Sequence, residues 1–263
     1  MLRFTDQLGR EVRLAHPPQR IVSVVPSQTE LLADLGLDDQ VLGITKFCIH
    51  PEAWFRSKTR VGGTKTLHLD RIRSLRPDLV IANKEENTRE QIEALEQEFP
   101  VWISDIQNLE QALEMIRRLS VLCSREEAGI QLVSDLENRL VFPAETSATA
   151  TCLYFIWKSP WMSVNKHTFI HDMLQRLGFT NVCANHPSRY PEISEAEMRE
   201  LAPDFVFLSS EPYPFKAAHI AWFQEHLPNS RIMLVDGEAF SWYGSRLLKT
   251  ADYLHQISAL AKA

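Results

Sequence analysis

Cysteine is scarce in this chain: four residues, at 48, 123, 152 and 183, among 263. No two of them form C-x-x-C and their spacing matches no zinc site, so the residues are expected to be free, partly buried thiols. The phosphate-binding glycine patterns are absent too. There is no G-x-G-x-x-G and no G-x-x-x-x-G-K-[ST], which removes the usual cradles for a dinucleotide or a triphosphate. There is no G-x-S-x-G nucleophile elbow, and Ser209-Ser210-Glu211 has no histidine placed to activate it. No apolar run approaches the roughly 18 residues needed to cross a bilayer. Lys and Arg form no cluster and the formal net charge is -6, so nucleic acid is not expected as a partner. The start, Met1-Leu2-Arg3-Phe4-Thr5-Asp6, lacks the basic, apolar and small-residue order of a secretory leader.

What is present alternates. Phe4–Leu14 reads as a hairpin about Leu8-Gly9. Ile21-Val22-Ser23-Val24-Val25 is a buried-strand run ended by Pro26, and a helix capped by Ser27 or Thr29 follows it through Leu35. Gly36 stands at C′, where positive φ is needed. Val41–Ile44, Leu79–Ala82 and Pro100–Ile103 read as strands, and the segments from Leu69 and Thr88 as helices. Such alternation predicts α/β layers around parallel sheets.

The second half repeats the first. Ile72-Arg73-Ser74-Leu75-Arg76-Pro77-Asp78-Leu79-Val80 returns 126 positions later as Met198-Arg199-Glu200-Leu201-Ala202-Pro203-Asp204-Phe205-Val206. Leu31–Gly36 likewise has a counterpart in Met173–Gly178. Several matches in one order predict two similar lobes. Between them, Leu109–Leu122 and Ser124–Leu140 read as helices. The second opens on a Ser124/Glu127 capping box and carries Ile130, Val133, Leu136 and Leu140 on one face. The polar stretch 143–151 is the expected boundary, giving an N-terminal lobe over 1–108, linking helices over 109–142 and a C-terminal lobe over 143–263. A terminal amphipathic helix is expected over Ser245–Ala261.

Aromatic residues gather in loops after strands: Phe47, Trp157, Trp161, Tyr190, Tyr213 with Phe215, and Trp242 with Tyr243. Loops at the carboxyl ends of parallel strands form the ligand crevice of α/β sheets, and rings there suit a large, flat, partly apolar ligand. His167 and His171 are four apart and would share a helix face, but no H-E-x-x-H accompanies them, so no metal site is assigned.

These residues resemble the helical-backbone (class III) periplasmic substrate-binding proteins of cobalamin and iron-siderophore ABC importers. In the first lobe the resemblance lies in Arg20–Ser27 through Leu32, Arg60–Thr64 and Leu75–Val80. In the second it lies in Thr168–Leu174, Arg189–Ser194, Glu211–Phe215 and Asp236–Gly244, most like the cobalamin-binding branch. It implies two similar α/β lobes joined by one long α-helix, with a ligand cleft between them. It implies no catalysis, and a large metal chelate as ligand: cobalamin or another corrinoid ahead of haem or a ferric siderophore.

The ligand residues expected from the resemblance are Pro26, Ser27, Phe47, Thr64, Lys65, Asn83, Trp157, Trp161, Arg189, Tyr190, Glu211, Tyr213, Trp242 and Tyr243. Glu85, Glu86, Glu90, Glu195 and Glu197 are the candidates for docking onto an ABC permease. The chain is expected to be a monomer and to work in the periplasm or at the cell surface, with the cytoplasm left open by its start. The alternatives are a free-metal-ion binder and a cytoplasmic corrinoid-handling factor or enzyme on the same fold. Where the cobalamin branch places an aromatic after the first-lobe Pro-Asp strand, this chain has Asn83.

Overall fold

A computed structural model of the chain describes residues 1–142 and 150–261. The chain divides into two compact units. The first comprises residues 1–106, 110–138 and 243–246; the second comprises 107–109, 139–242 and 247–263. Most of the expected boundary stretch, residues 143–149, lies outside the described residues.

The first unit opens with the expected hairpin, β1 (Leu2–Thr5) and β2 (Glu11–Leu14), antiparallel with Phe4 opposite Val12. Then come β3 (Ile21–Ser23), α1 (Pro26–Asp34), β4 (Val41–Ile44), α2 (Glu52–Ser57) and β5 (Thr59–Arg60). They are followed by β6 (Gly62–Gly63), β7 (Thr66–Leu67), α3 (Leu69–Leu75), β8 (Leu79–Asn83), α4 (Arg89–Glu96) and β9 (Val101–Ser104). The principal sheet has the order β5-β4-β3-β8-β9 and every pairing in it is parallel. β3 and β8 are buried along their whole length, which is why Ile21-Val22 and Leu79–Ala82 read as apolar runs rather than alternating ones. One side of this sheet packs Val22, Val80 and Val101 against Ile72 of α3 and Ile92 and Leu95 of α4. Each such side chain contributes about 1.5–3 kcal/mol by leaving water.

α1 starts differently from the expectation. Val25 is its N-cap and Pro26 its first residue, with no side-chain cap; Ser27 and Thr29 lie inside the helix. Proline at this position costs nothing because the N–H it lacks has no helical partner. At the other end Gly36 (φ 73°) donates to Ala33 and Leu37 donates to Leu32, a Schellman closure.

The linking segment holds two helices, α5 (Leu109–Leu122) and α6 (Glu126–Arg139), and residues 110–138 belong to the first unit. The expected capping box does not form. Ser124 adopts φ 55° and donates to Val121, while Arg125 donates to Ser120, so Ser124 is the C′ residue of α5. The buried stripe of α6 is Gly129, Val133 and Leu136; Ile130 is exposed. Gly129 is on that stripe because a Cβ there would stand 2.1 Å from the hydroxyl of Ser120 on α5.

The second unit contains β10 (Ala150–Phe155), α7 (Phe169–Arg176), β11 (Phe179–Asn181), α8 (Glu195–Leu201), β12 (Phe205–Ser209) and α9 (Ala217–His226). β13 (Arg231–Val235), α10 (Gly237–Ser241) and α11 (Arg246–Leu260) complete the chain. Its sheet is again wholly parallel, in the order β11-β10-β12-β13. The core on one side is aromatic: Phe155, Phe215 and Phe223 pack with Leu153, Val206 and Leu208.

The repeat seen in the sequence is physical. α3 ends on Arg76 and α8 on Ala202, both left-handed, at φ 45° and 38°. The Asp two residues later ties the starts of the two central strands in each unit. Asp78 accepts the N–H groups of Gln19 and Arg20 at 2.8 and 2.9 Å. Asp204 accepts the N–H and the hydroxyl of Thr151, both at 2.7 Å.

Candidate ligand-binding site

Each sheet has one place where successive strands depart in opposite directions. In the first unit it lies between β3 and β8, and in the second between β10 and β12. Loops leaving the carboxyl ends of such a pair diverge and open a crevice, the usual ligand position in open parallel sheets.

In the first unit that end carries Pro26 and Ser27 on the first turn of α1, Asn83 as the last residue of β8, and Phe47, Thr64, Lys65, Glu85 and Glu86 on loops. An asparagine network shapes them. Asn83 donates to the carbonyl and hydroxyl of Ser104 at 3.2 and 2.9 Å, and its Oδ1 accepts the N–H groups of Glu85 and Glu86. Asn87 accepts from Asn83 N and donates to the carbonyls of Val24 and Thr64 at 3.1 and 3.0 Å. The Asn83 side chain, expected at the ligand periphery, is thus spent on the loop that follows β8. Asn87 is the organiser that sequence reasoning missed: it joins the ends of β3, β8 and the β6–β7 turn. Ser27 and Thr64 are buried, Pro26 is half-buried, and Lys65 is exposed with its ammonium on the carbonyl of Glu85.

Phe47 is the ring that stands out, 50% exposed with the Lys46 ammonium 5.0 Å from its centroid. Beneath it, Cys48 is buried between the hydroxyls of Thr29 and Thr45, each 3.1 Å away. Burial pushes this thiol up, as it does those of Cys152, Cys183 and Cys123, the last to about 12. All four cysteines are free, and protonated thiols of this kind are poor nucleophiles.

In the second unit Trp157 is 40% exposed after β10 and meets Tyr213 edge-on at 5.7 Å. Tyr190 is 37% exposed, with the Arg189 guanidinium 5.9 Å from its ring. Trp161 lies deeper, 4.8 Å from Trp222 and 4.9 Å from Phe223, so much of its surface is taken by the aromatic core. Glu211 is half-buried and accepts the Trp242 indole N–H at 2.8 Å and the Ser241 hydroxyl at 2.5 Å. Gly237 permits this arrangement, since a Cβ there would stand 2.5 Å from both the Glu211 Cγ and the Ser209 hydroxyl. Trp242 is buried in the second unit. Tyr243, also buried, falls in the first unit with the rest of the 243–246 segment.

The acidic docking candidates separate. Glu85 and Glu86 are half-buried in the loop after β8, at the ligand end of the sheet, and burial pushes the Glu86 carboxyl up against the opposing pull of Lys65. Glu85 corresponds by the 126-residue repeat to Glu211: their N–H groups bond to Asn83 and Ser209, the last residues of β8 and β12. Glu90 is exposed on the first turn of α4, and Glu195 and Glu197 on the first turn of α8. Glu197 closes a capping box with Ser194, whose hydroxyl and N–H hold its carboxylate below the usual range. Glu195 faces Arg199 and His226 at 3.6 and 3.8 Å.

No group of three or more His, Cys, Asp or Glu among the described residues is placed to hold a metal ion. His171 is buried, with its Nδ1 3.3 Å from the Asn181 amide, while His167 is exposed. No helix among the described residues is long and apolar enough to cross a membrane.

A family model described as "Periplasmic binding protein" matches residues 21–232, which runs from the start of β3 into the start of β13. The chain belongs to the periplasmic binding protein family. Among curated relatives, the vitamin B12-binding protein of Pectobacterium carotovorum subsp. carotovorum (strain PC1) is 24% identical over 252 residues, 93% of this chain and 90% of that protein. The vitamin B12-binding protein of Vibrio campbellii is 26% identical over 197 residues, 73% of this chain and 71% of that one. Among solved structures, the periplasmic vitamin B12 binding protein of Vibrio cholerae matches with a TM-score of 0.78 at 21% identity, covering 94% of this chain and 98% of its own. A periplasmic haem-binding protein from Pseudomonas aeruginosa matches with a TM-score of 0.79 at 22% identity, covering 93% and 92%. At these identities the structures share the two-lobed fold.

Proposed function

We propose that the protein captures a large metal chelate without transforming it and hands it to an ABC-type importer. The observation that carries this is the exposure of large rings on loops at the carboxyl ends of both sheets: Phe47 in one unit, Trp157 and Tyr190 in the other. Rings exposed in this way suit a flat, partly apolar ligand, and each such ring is worth about 0.5–1.5 kcal/mol in stacking beyond its buried area. The vitamin B12-binding and haem-binding relatives support a chelate as ligand. The protonated, buried thiols and the engagement of Glu211 with Ser241 and Trp242 support capture rather than catalysis.

The working site on this reading is outside the cytoplasm, the protein acts as a monomer, and its macromolecular partner is a permease. Glu90 and Glu195 are the better docking candidates, because Glu85 and Glu86 sit at the ligand end and Glu197 is tied to Ser194. The test is absorbance titration of the purified protein with cyanocobalamin, haemin and ferric siderophores. Stoichiometric uptake of one of them is expected. Failure to bind any, with the protein folded, overturns the proposal.

A further inference from the structure

We infer that Gly63 is a positioning residue for the ligand end of the first unit. Its missing side chain is the seat on which Phe47 rests, and the seat fixes the ring before a ligand arrives. This rests on the reading above, in which Phe47 meets the chelate, and adds what holds that ring.

The two glycines of β6 are there for different reasons. Gly62 has φ 108°, and a Cβ on it would run into the Thr66 carbonyl and stand 2.9 Å from the His68 nitrogen. Backbone geometry alone accounts for it. Gly63 lies outside the left-handed region and pairs with Thr66 in the antiparallel β6–β7 ladder. The three atoms nearest to a Cβ on Gly63 would all belong to side chains: Thr66 Oγ1 at 3.0 Å, Phe47 Cε2 at 3.2 Å and Lys46 Cε at 3.4 Å. The path of the main chain does not call for glycine at 63. What the absent Cβ makes room for is the edge of Phe47 and the stem of Lys46.

Both the seat and the ring are tied to the sheet. The Lys46 N–H donates to the Gly62 carbonyl at 2.8 Å, and the Asn87 amide donates to the Thr64 carbonyl at 3.0 Å. On the ring's own loop the Phe47 N–H donates to the Thr45 hydroxyl at 3.3 Å, and the Cys48 N–H to the Thr45 carbonyl at 3.2 Å. Phe47 is thus half exposed yet has a fixed backbone and one edge against Gly63. Ordering a free side chain on binding costs up to about tenfold in affinity, and a ring already seated avoids that cost. A side chain at 63 would take the seat. Phe47 Cε2 is the far end of an exposed side chain, so the ring gives way more easily than the strand, and the site changes shape while the fold survives.

The experiment builds Gly63→Ala and Gly63→Val, each alone and with Phe47→Ala. Each is titrated with whichever of cyanocobalamin, haemin and a ferric tris-hydroxamate the wild type takes up. Affinity should fall with side-chain size, by about tenfold in Gly63→Val, while melting temperatures stay close to that of the wild type. Phe47→Ala should fall as far, and Phe47→Ala/Gly63→Val no further, because the seat acts only through the ring. Losses that add, or full affinity in Gly63→Val, overturn the assignment and leave chelate capture standing. So does a Gly63→Val chain that loses its fold while Gly63→Ala binds as the wild type does. A second readout needs no ligand: in Phe47→Trp, acrylamide quenching of the added indole, taken as the difference from wild type, should rise when Gly63→Val is introduced. Unchanged quenching overturns the seat. Failure of the folded wild type to bind any of the three chelates overturns the capture reading, and the quenching comparison still decides whether Gly63 holds the ring.

Discussion

Glu30 and Arg246 form an ion pair at 2.8 Å, with only 3% of the Glu30 side chain and 15% of the Arg246 side chain exposed. They lie 216 positions apart, and the pair pins the 243–246 segment onto α1 within the first unit. Beside it, Gly244 packs 3.6 Å from the Leu31 Cβ and the Ser27 carbonyl. Removing one partner of so buried a pair leaves an uncompensated charge, whereas removing both does not. Arg246→Ala should therefore lower stability by about 3 kcal/mol, and Glu30→Leu/Arg246→Met by clearly less. Urea denaturation followed by circular dichroism measures both; equal losses in the single and double variants would refute the argument.

Trp157 and Trp161 are both tryptophans on the loop after β10, but their surroundings predict opposite phenotypes. Trp157 is exposed and touches Tyr213, so Trp157→Ala should leave the melting temperature nearly unchanged and weaken chelate binding by more than about 1 kcal/mol. Phe47→Ala should do the same. Trp161 packs on Phe155, Trp222 and Phe223, so Trp161→Ala should cost about 3–5 kcal/mol of stability. Calorimetric titration and thermal melts of the three variants separate binding from packing directly.

These contrasts mark what the sequence can and cannot say. The parallel strands were legible because burial on both faces enforces runs such as Leu79–Ala82, and the repeat because Pro77-Asp78 and Pro203-Asp204 do the same work in each sheet. Ser124-Arg125-Glu126-Glu127 misled, because a serine before two glutamates is equally compatible with opening one helix and with closing the one before it. The close α5–α6 turn decided between them, placing Ser124 at φ 55°. The ring-bearing loops were visible as a composition cluster, yet nothing in spacing distinguishes Trp157 from Trp161. Nor could local pattern reveal that Asn83 and Asn87 would bond across β3, β8 and β9, since those partners are up to 63 residues away.

His171 supplies a pH dependence whose sign can be worked out. Burial holds its pKa below the ordinary 6.5, against the opposing effects of Gln175 and Asp172. The unfolded chain therefore takes up this proton before the folded one does, and the folded state loses stability as pH falls below 6.5, down to the lowered folded value. Denaturation midpoints should decline over that window in the wild type. The decline should be smaller in His171→Gln, which keeps a polar side chain beside Asn181. An unchanged slope in the variant would assign the effect to other groups.

Asp204 adds a second acid-sensitive contribution at lower pH. The hydroxyl and N–H of Thr151 hold its carboxyl below the ordinary 3.8, so the folded protein binds this proton less readily than the unfolded chain. The stabilisation is complete above 3.8 and is lost as pH falls through the lowered folded value. Asp204→Asn keeps the shape but cannot titrate, so it should be less stable than wild type at neutral pH and approach it in strong acid. Asp78→Asn should also destabilise at neutral pH, because Asp78 bonds to Gln19 and Arg20 at the start of β3 as Asp204 bonds to Thr151 at the start of β10. The two sites share no partner, so their effects in the double variant should add within about 0.5 kcal/mol. Urea midpoints of the two single variants and the double variant at neutral pH measure this; a markedly non-additive loss would mean that the two strand starts are energetically coupled.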